Sequence, residues 1–393
     1  MSETYTVPQP FMPDITLLRD LGNVSYKMAA NCGEPCQNVS HIGQVTDTDI
    51  DVWQTVVQDA SFVTFPVIVT WGILAGFASV IVMSSRRHDS EHGFLQAYSV
   101  TCVLLLMCGA AVKLEDYIGH SNTYQYAYGY LTTVHSWFAY SALWILVVAT
   151  LERHSIVARH SHLDNGQRCG QTQAGIVSGV VFCISLISSL PQLWAYETVE
   201  VYDYTTNQTL VISHVSDATN TPEYNTVYFW YVVTITVLLP YPMLLVKLVL
   251  ITSGIKRSRK LLTKWPVKYG SGNVLHRKIT EEIHLSQFFV INAALYLLLT
   301  GPFIMSNIID HLNPQWQLQE NQIYVGLHSI AEFLFYFHFT LPFPLLCSYN
   351  DTFRRSLLKI THCCTCQCSK QPPKRQFKYG PPKNQKVVTF LDP

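Results

Sequence analysis

Residues 127–154 read AYGYLTTVHSWFAYSALWILVVATLERH. From Ala127 to Leu151 there is no Lys, Arg, Asp or Glu. About 20 apolar residues at about 1.5 Å rise cross the ~30 Å hydrocarbon core of a bilayer. The run therefore reads as a membrane span, and Glu152-Arg153-His154 places a charged pair at one of its ends. Six more stretches have the same character, at about 61–83, 93–113, 174–195, 225–253, 284–309 and 322–347. Gln96 and Ser99 interrupt the start of the second. Lipid offers backbone groups no hydrogen-bond partner, so all seven are predicted to be helices. Composition agrees: 49% of residues are hydrophobic and only 13% are charged, against about a quarter in soluble domains. The predicted fold class is an all-α membrane protein, a seven-transmembrane helix bundle.

Working outward, residues 1–60 form a polar tail, 61–349 the membrane domain, and 350–393 an inner segment. The N-terminus has no basic start followed by an apolar core, so the first span is expected to drive insertion itself. The chain has 26 basic and 26 acidic residues. With the N-terminus outside, only Arg19, Lys27 and Lys113 of the basic set lie outside. The rest cluster around Arg86-Arg87, Arg153, Arg159 and Arg168, Lys256 to Lys278, and Arg354 onward. The positive-inside rule gives N-out and C-in, as an odd number of spans requires. Sequons at Asn23, Asn38 and Asn207 fall on the outer side and are expected to be glycosylated. Asn350 also heads a sequon but lies inside, and is expected to stay unmodified.

Cysteines sort by side too. Cys32 and Cys36 lie in the outer tail, where a disulfide is chemically allowed. Cys363, Cys364, Cys366 and Cys368 crowd the inner tail and suggest palmitoylation. A zinc site is the rival reading, but the cluster is too compressed for two-pair ligand spacing. No metal or cofactor is expected. Between Asn350 and Thr361, Phe353, Leu357, Leu358 and Ile360 can share one face opposite Arg354, Arg355 and Lys359. That pattern predicts a short amphipathic helix at the inner membrane surface after the seventh span.

An arginine at a membrane boundary is by itself an orientation signal. Glu282 gives Arg153 a second reading, because it lies at the inner start of the sixth span, 20 residues before Pro302. Here the chain resembles the rhodopsin-like (class A) G-protein-coupled receptors, over about 61–361. The resemblance implies an activation switch of Glu152, Arg153 and Glu282 between the third and sixth spans. Pro240 (or Pro242), Pro302 and Pro344 match the hinge prolines of spans five, six and seven. The run Ser189-Leu190-Pro191-Gln192-Leu193-Trp194-Ala195-Tyr196-Glu197 resembles that of invertebrate FMRFamide-type neuropeptide receptors.

Departures from the family pattern are large. The polar residues of helices 1, 2 and 7 that hold water and sodium have Phe77, Cys102 and Phe343 as their expected equivalents. Leu299-Thr300-Gly301 replaces the helix 6 tryptophan toggle, and Cys347 replaces the helix 7 tyrosine. No cysteine lies near the outer end of the third span, where Tyr124, Tyr126, Tyr128 and Tyr130 cluster, nor in residues 196–224. Both halves of the family disulfide are thus absent.

Four residues are candidates for ligand contact. His135 lies 18 residues before Arg153, five turns outward on the same face. The resemblance puts an amine receptor's carboxylate there, so a biogenic amine is disfavoured, although a helix histidine is also an ordinary core residue. Glu332 is an acid deep in an apolar span, suited either to a ligand or to a partner on a neighbouring helix. Tyr130 and Trp194 are candidate aromatic contacts. By this topology the outer surface carries 17 acidic residues against three basic ones, which attracts cations. The leading function is a receptor for a basic extracellular ligand, a neuropeptide ending in amidated Arg-Phe, with a heterotrimeric G protein as inner partner. A chemosensory receptor for a small molecule is the alternative. A seven-helix ligand-gated cation channel is disfavoured by the N-out charge bias. No paired intramembrane aspartates, histidine boxes or nucleophile motif appear, so an enzyme is not expected. Multi-pass insertion in the plasma membrane follows.

Overall fold

In a computed structural model, the described residues are 47–84, 90–119, 121–159, 171–203, 208–216, 219, 221–264, 272–312 and 322–365. Six helices are long and apolar enough to cross a membrane, and a bent pair completes the seventh span. Their helical ranges are Asp47–Ser84, Ser90–Val112, Asn122–Arg159, Gln171–Ser189, Pro222–Lys264 with one irregular turn, Gly272–Leu312, and Gln322–Thr340 with Pro342–Tyr349. Several helices run past their apolar cores, because a helix need not stop where lipid does. The outer tail was expected to be irregular, yet its last part belongs to the first helix from Asp47.

The third span is the central pillar. Two thirds of its apolar window (67%) is buried in the protein, against 28% for the first, fourth and fifth. It packs against spans two, four, five and six, and the seventh closes the ring against the first. Leu105, Leu106, Leu143, Ile145, Leu146, Phe288 and Phe289 form the heart of the core. Close approach is steric as well as apolar. A Cβ on Gly109 would enter the ring of Tyr336, so glycine is what lets the seventh span lie against the second.

Two spans break the expectation of uninterrupted helix, both at proline. In the fifth, Thr221 caps the start and accepts from Tyr224 N at 3.3 Å, with Pro222 in the first turn. Pro240 has no N–H, and its ring crowds the carbonyl four residues back. The chain widens into a π turn at Thr234–Leu238, where Leu239 N reaches Thr234 O at 3.0 Å. In the seventh, the axis bends by 43° between Thr340 and Pro342. Leu341 N closes a tight turn onto His338 O at 3.1 Å. The break sits at Leu341-Pro342, and Pro344 lies one turn beyond it.

After Asn350 the chain turns into a helix, Asp351–Thr365. The Asn350 side chain accepts from Phe353 N at 2.8 Å, an N-cap that stops one helix and starts the next. Phe353 is buried under the ring of Phe343 at 6.1 Å, and Leu357 and Ile360 pack on the core. Leu358, expected on the same face, is 53% exposed instead, because 100° per residue turns it out from Leu357.

Between spans four and five lies a hairpin that the alternating residues had not been read to predict. Strand β1 (Tyr196–Asp203) pairs antiparallel with β2 (Gln208–Val215), Glu200 opposite Val211. It covers the outer end of the third span.

Candidate functional site

At the inner end, Arg153 is completely buried. Its Nη1 donates to Glu282 Oε2 at 3.3 Å, linking spans three and six. Glu152 Oε2 stands 3.8 Å from Nη2. Phe289, two helical turns beyond Glu282, offers its ring face 5.7 Å from the guanidinium carbon. A delocalised, weakly hydrated guanidinium is the cation best suited to such a mixed apolar and acidic seat. Beside it, Ile251, Ile255 and Ile283 form a separate apolar cluster between spans five and six. His154 Nδ1 lies 3.4 Å from Lys247 Nζ. Separating span six from span three would therefore divide one ion pair and shift an apolar seal together. Such an element has two discrete arrangements.

In the middle of the bundle the polar residues differ from those expected. Phe77, the expected helix 1 equivalent, is 48% exposed and faces away from the core. Cys102 is buried, and Phe343 packs its edge against Trp71 at 6.5 Å. A polar core exists on other residues. Tyr98 Oη is 3.2 Å from His338 Nε2, and Tyr296 meets the His338 ring edge-on at 5.2 Å. Tyr241 and Thr300 share a hydrogen bond of 2.9 Å, and Asn292 is wholly buried nearby in span six. His135 belongs to the adjoining layer. It is buried, and its Nε2 lies 3.2 Å from Tyr336 Oη. Gly109 leaves the space that the Tyr336 ring fills.

The outer end is tied by side chains that sequence reasoning had passed over. Asn122 Nδ2 donates to Thr209 O at 3.1 Å, and its Oδ1 accepts from Val211 N at 3.0 Å. One turn on, Gln125 Oε1 accepts from Ser213 N at 3.0 Å. Its Nε2 donates to both oxygens of Glu115 at 2.8 Å. Two amides at helical spacing thus occupy the edge groups of β2 that β1 leaves unused, which otherwise would need water or another strand. Tyr126 donates to Glu200 at 3.1 Å, and Tyr128 meets Tyr196 edge-on at 5.4 Å. The link between the third span and the second outer loop, which the family resemblance supplies with a disulfide, is made here by hydrogen bonds. The legible signal was the alternation in Val199-Glu200-Val201 and Leu210-Val211-Ile212-Ser213, but nothing local identified its partner on another element.

The remaining candidates scatter. Glu332 binds Lys113 Nζ at 3.1 Å, joining spans seven and two. Tyr130 and Trp194 are 67% and 66% exposed, at the outer ends of spans three and four. Pro302 lies inside the sixth helix. The side chains of Cys363 and Cys364 fall outside the described residues, as do Cys366, Cys368, Cys32, Cys36, Asn23, Asn38 and Asn207.

A buried Arg-Glu pair between spans three and six, a proline-bent bundle and a capped tail helix after the seventh span are features of a signalling receptor. The model of the family described as 7 transmembrane receptor (rhodopsin family) matches residues 54–342, about three quarters of the chain. No curated protein matches it. A multi-pass plasma-membrane protein of this kind is a signalling receptor rather than an enzyme. The chain belongs to the rhodopsin family of seven-transmembrane receptors.

Proposed function

We propose that this receptor binds a basic, amidated neuropeptide outside and passes the signal to a heterotrimeric G protein inside. In this reading Glu152, Arg153 and Glu282 form the switch, and the observation that carries it is the buried Arg153–Glu282 contact. Ligand binding moves span six away from span three, and the π turn before Pro240, Pro302 and the Leu341-Pro342 break with Pro344 absorb the change. Arg153 then faces the G protein with the basic inner loops. The 17 acidic outer residues against three basic ones support a cationic ligand. Tyr130 and Trp194, exposed at the rim, meet its aromatic rings. His135 and Glu332 shape the floor, with Glu332 neutralised by Lys113.

The outer Asn23, Asn38 and Asn207 carry glycans, Cys32 and Cys36 pair, and the Cys363–Cys368 cluster is acylated. The test is a screen of amidated peptides on cells expressing the chain, read through a promiscuous G protein. A dose-dependent response, lost with Arg153→Ala, is expected. Silence to every peptide at confirmed surface expression refutes the peptide reading. A response that survives Arg153→Ala removes the switch.

A further inference from the structure

The outer ends of spans six and seven carry a second polar cluster that the switch does not use. Span seven contributes Tyr324, His328 and Glu332 at intervals of four, on one face. Span six contributes Ser306, Asn307, Asp310 and His311. Cross-links already join them. Ser306 Oγ lies 3.0 Å from His328 Nδ1, and Tyr324 Oη donates to Ser306 O at 3.0 Å. Asp310 stands beside the Tyr324 hydroxyl.

Three atoms of this cluster are buried without a hydrogen-bond partner: Asn307 Oδ1, Asp310 Oδ2 and His311 Nδ1. Asn307 itself is only 5% exposed. Its Nδ2 is anchored on Phe303 O at 2.9 Å, one turn inward. The other half of the amide, Oδ1, is thereby turned to the outer turn that holds Asp310 and His311. These three residues sit at positions i, i+3 and i+4 and share a face. The His311 ring lies flat on Phe229 of span five at 3.8 Å, which makes a planar wall beside the acceptors. Buried acceptors without donors are destabilising, more so when one is a carboxylate. Leaving two on adjacent turns is the pattern of a site that is completed by something else.

We propose that Asp310 and Asn307 form the seat for a guanidinium group of the ligand, with the Phe229–His311 stack as its flat wall. A guanidinium brings several donors in a planar fork and stacks on rings, so it matches two acceptors beside an aromatic plane. An ammonium is less suited, since it has no face to stack. Glu332 does not fill this role, because Lys113 already neutralises it. This seat deepens the basic-peptide reading and rests on it for the source of the guanidinium, as an arginine side chain.

The test uses full-length receptor in lipid nanodiscs and the probe arginyl-phenylalaninamide, with citrullyl-phenylalaninamide as its uncharged isostere. Saturable binding of the arginyl probe is expected, with the citrullyl probe at least about tenfold weaker, a gap of the size given by one charge-assisted contact. Asp310→Asn and Asn307→Ala should each remove most of that gap. Asp116→Asn, an outer acid away from the seat, should leave affinity within about twofold. Asp310→Asn should also raise the unfolding temperature of the ligand-free receptor, because it removes an unpaired buried charge. A misfolded variant would lower it. Absence of saturable binding, equal affinity for both probes, or an unchanged gap in Asp310→Asn overturns the seat. Binding that shows this pattern without any G-protein response upholds the seat and refutes the signalling-peptide reading.

Discussion

Replacing Glu282 with glutamine isolates the charge of the inner latch. Glutamine keeps the volume and an acceptor oxygen, so the wall around Arg153 stays filled. At 3.3 Å the Arg153–Glu282 attraction amounts to ~5 kcal/mol at an effective dielectric of about 20. Most of this is offset, since burying each ion costs several kcal/mol. Arg153 keeps Glu152 at 3.8 Å and the Phe289 face at 5.7 Å, so glutamine does not strand it. The net loss to the latched arrangement is therefore about 1–2 kcal/mol, which multiplies the open population roughly five- to thirtyfold. If the open state is about 1% at rest, basal signalling should rise close to tenfold. The assay is ligand-independent G-protein nucleotide exchange, normalised to surface receptor. Basal exchange equal to wild type, at matched expression, would show that the pair does not favour the inactive arrangement.

Three further outcomes follow from the geometry. Asn122→Ala and Gln125→Ala should each weaken the hairpin clasp by about 1 kcal/mol. Hydrogen exchange should then speed up at the Val211 and Ser213 amides, and unchanged exchange there would rule the clasp out. Gly109→Ala places a methyl in the Tyr336 ring and should cost about 1–3 kcal/mol by overpacking. Thermal unfolding of the purified receptor measures this, and restoration by Gly109→Ala with Tyr336→Leu would confirm the cause. Pro240→Ala restores a donor and relieves ring crowding, so the π turn at Thr234–Leu238 should relax towards regular α-helix. A solved structure of that variant with the π turn intact would show that proline is not its cause.

Arg153 and Glu282 could be read in advance because each is anchored by local pattern: a charged pair ending an apolar run, and an acid a fixed distance before Pro302. The tail helix was legible for the same reason, down to Phe353, while Leu358 was assigned to the wrong side. Phe77 shows where such reading fails. One residue of offset turns a helix position by 100°, and lipid and core are both apolar, so hydropathy cannot separate the two faces. The hinge of the seventh span was placed at Pro344 because either proline of Pro342-Phe343-Pro344 can break a helix. Only the Leu341 turn shows which does.

Seven apolar runs and a one-sided distribution of Lys and Arg were enough to determine the bundle, its orientation and the address of its switch. Those properties follow from transfer of each segment into lipid, and each segment carries its own share of the information. The tertiary structure decided what meets what. Gln125 finds Ser213 across 88 residues of chain and Tyr336 finds His135 across 201. Asn307 and Asp310 are left without partners only because of how span six sits against its neighbours. Pairings of this kind depend on helix rotation and packing, which bilayer insertion does not fix.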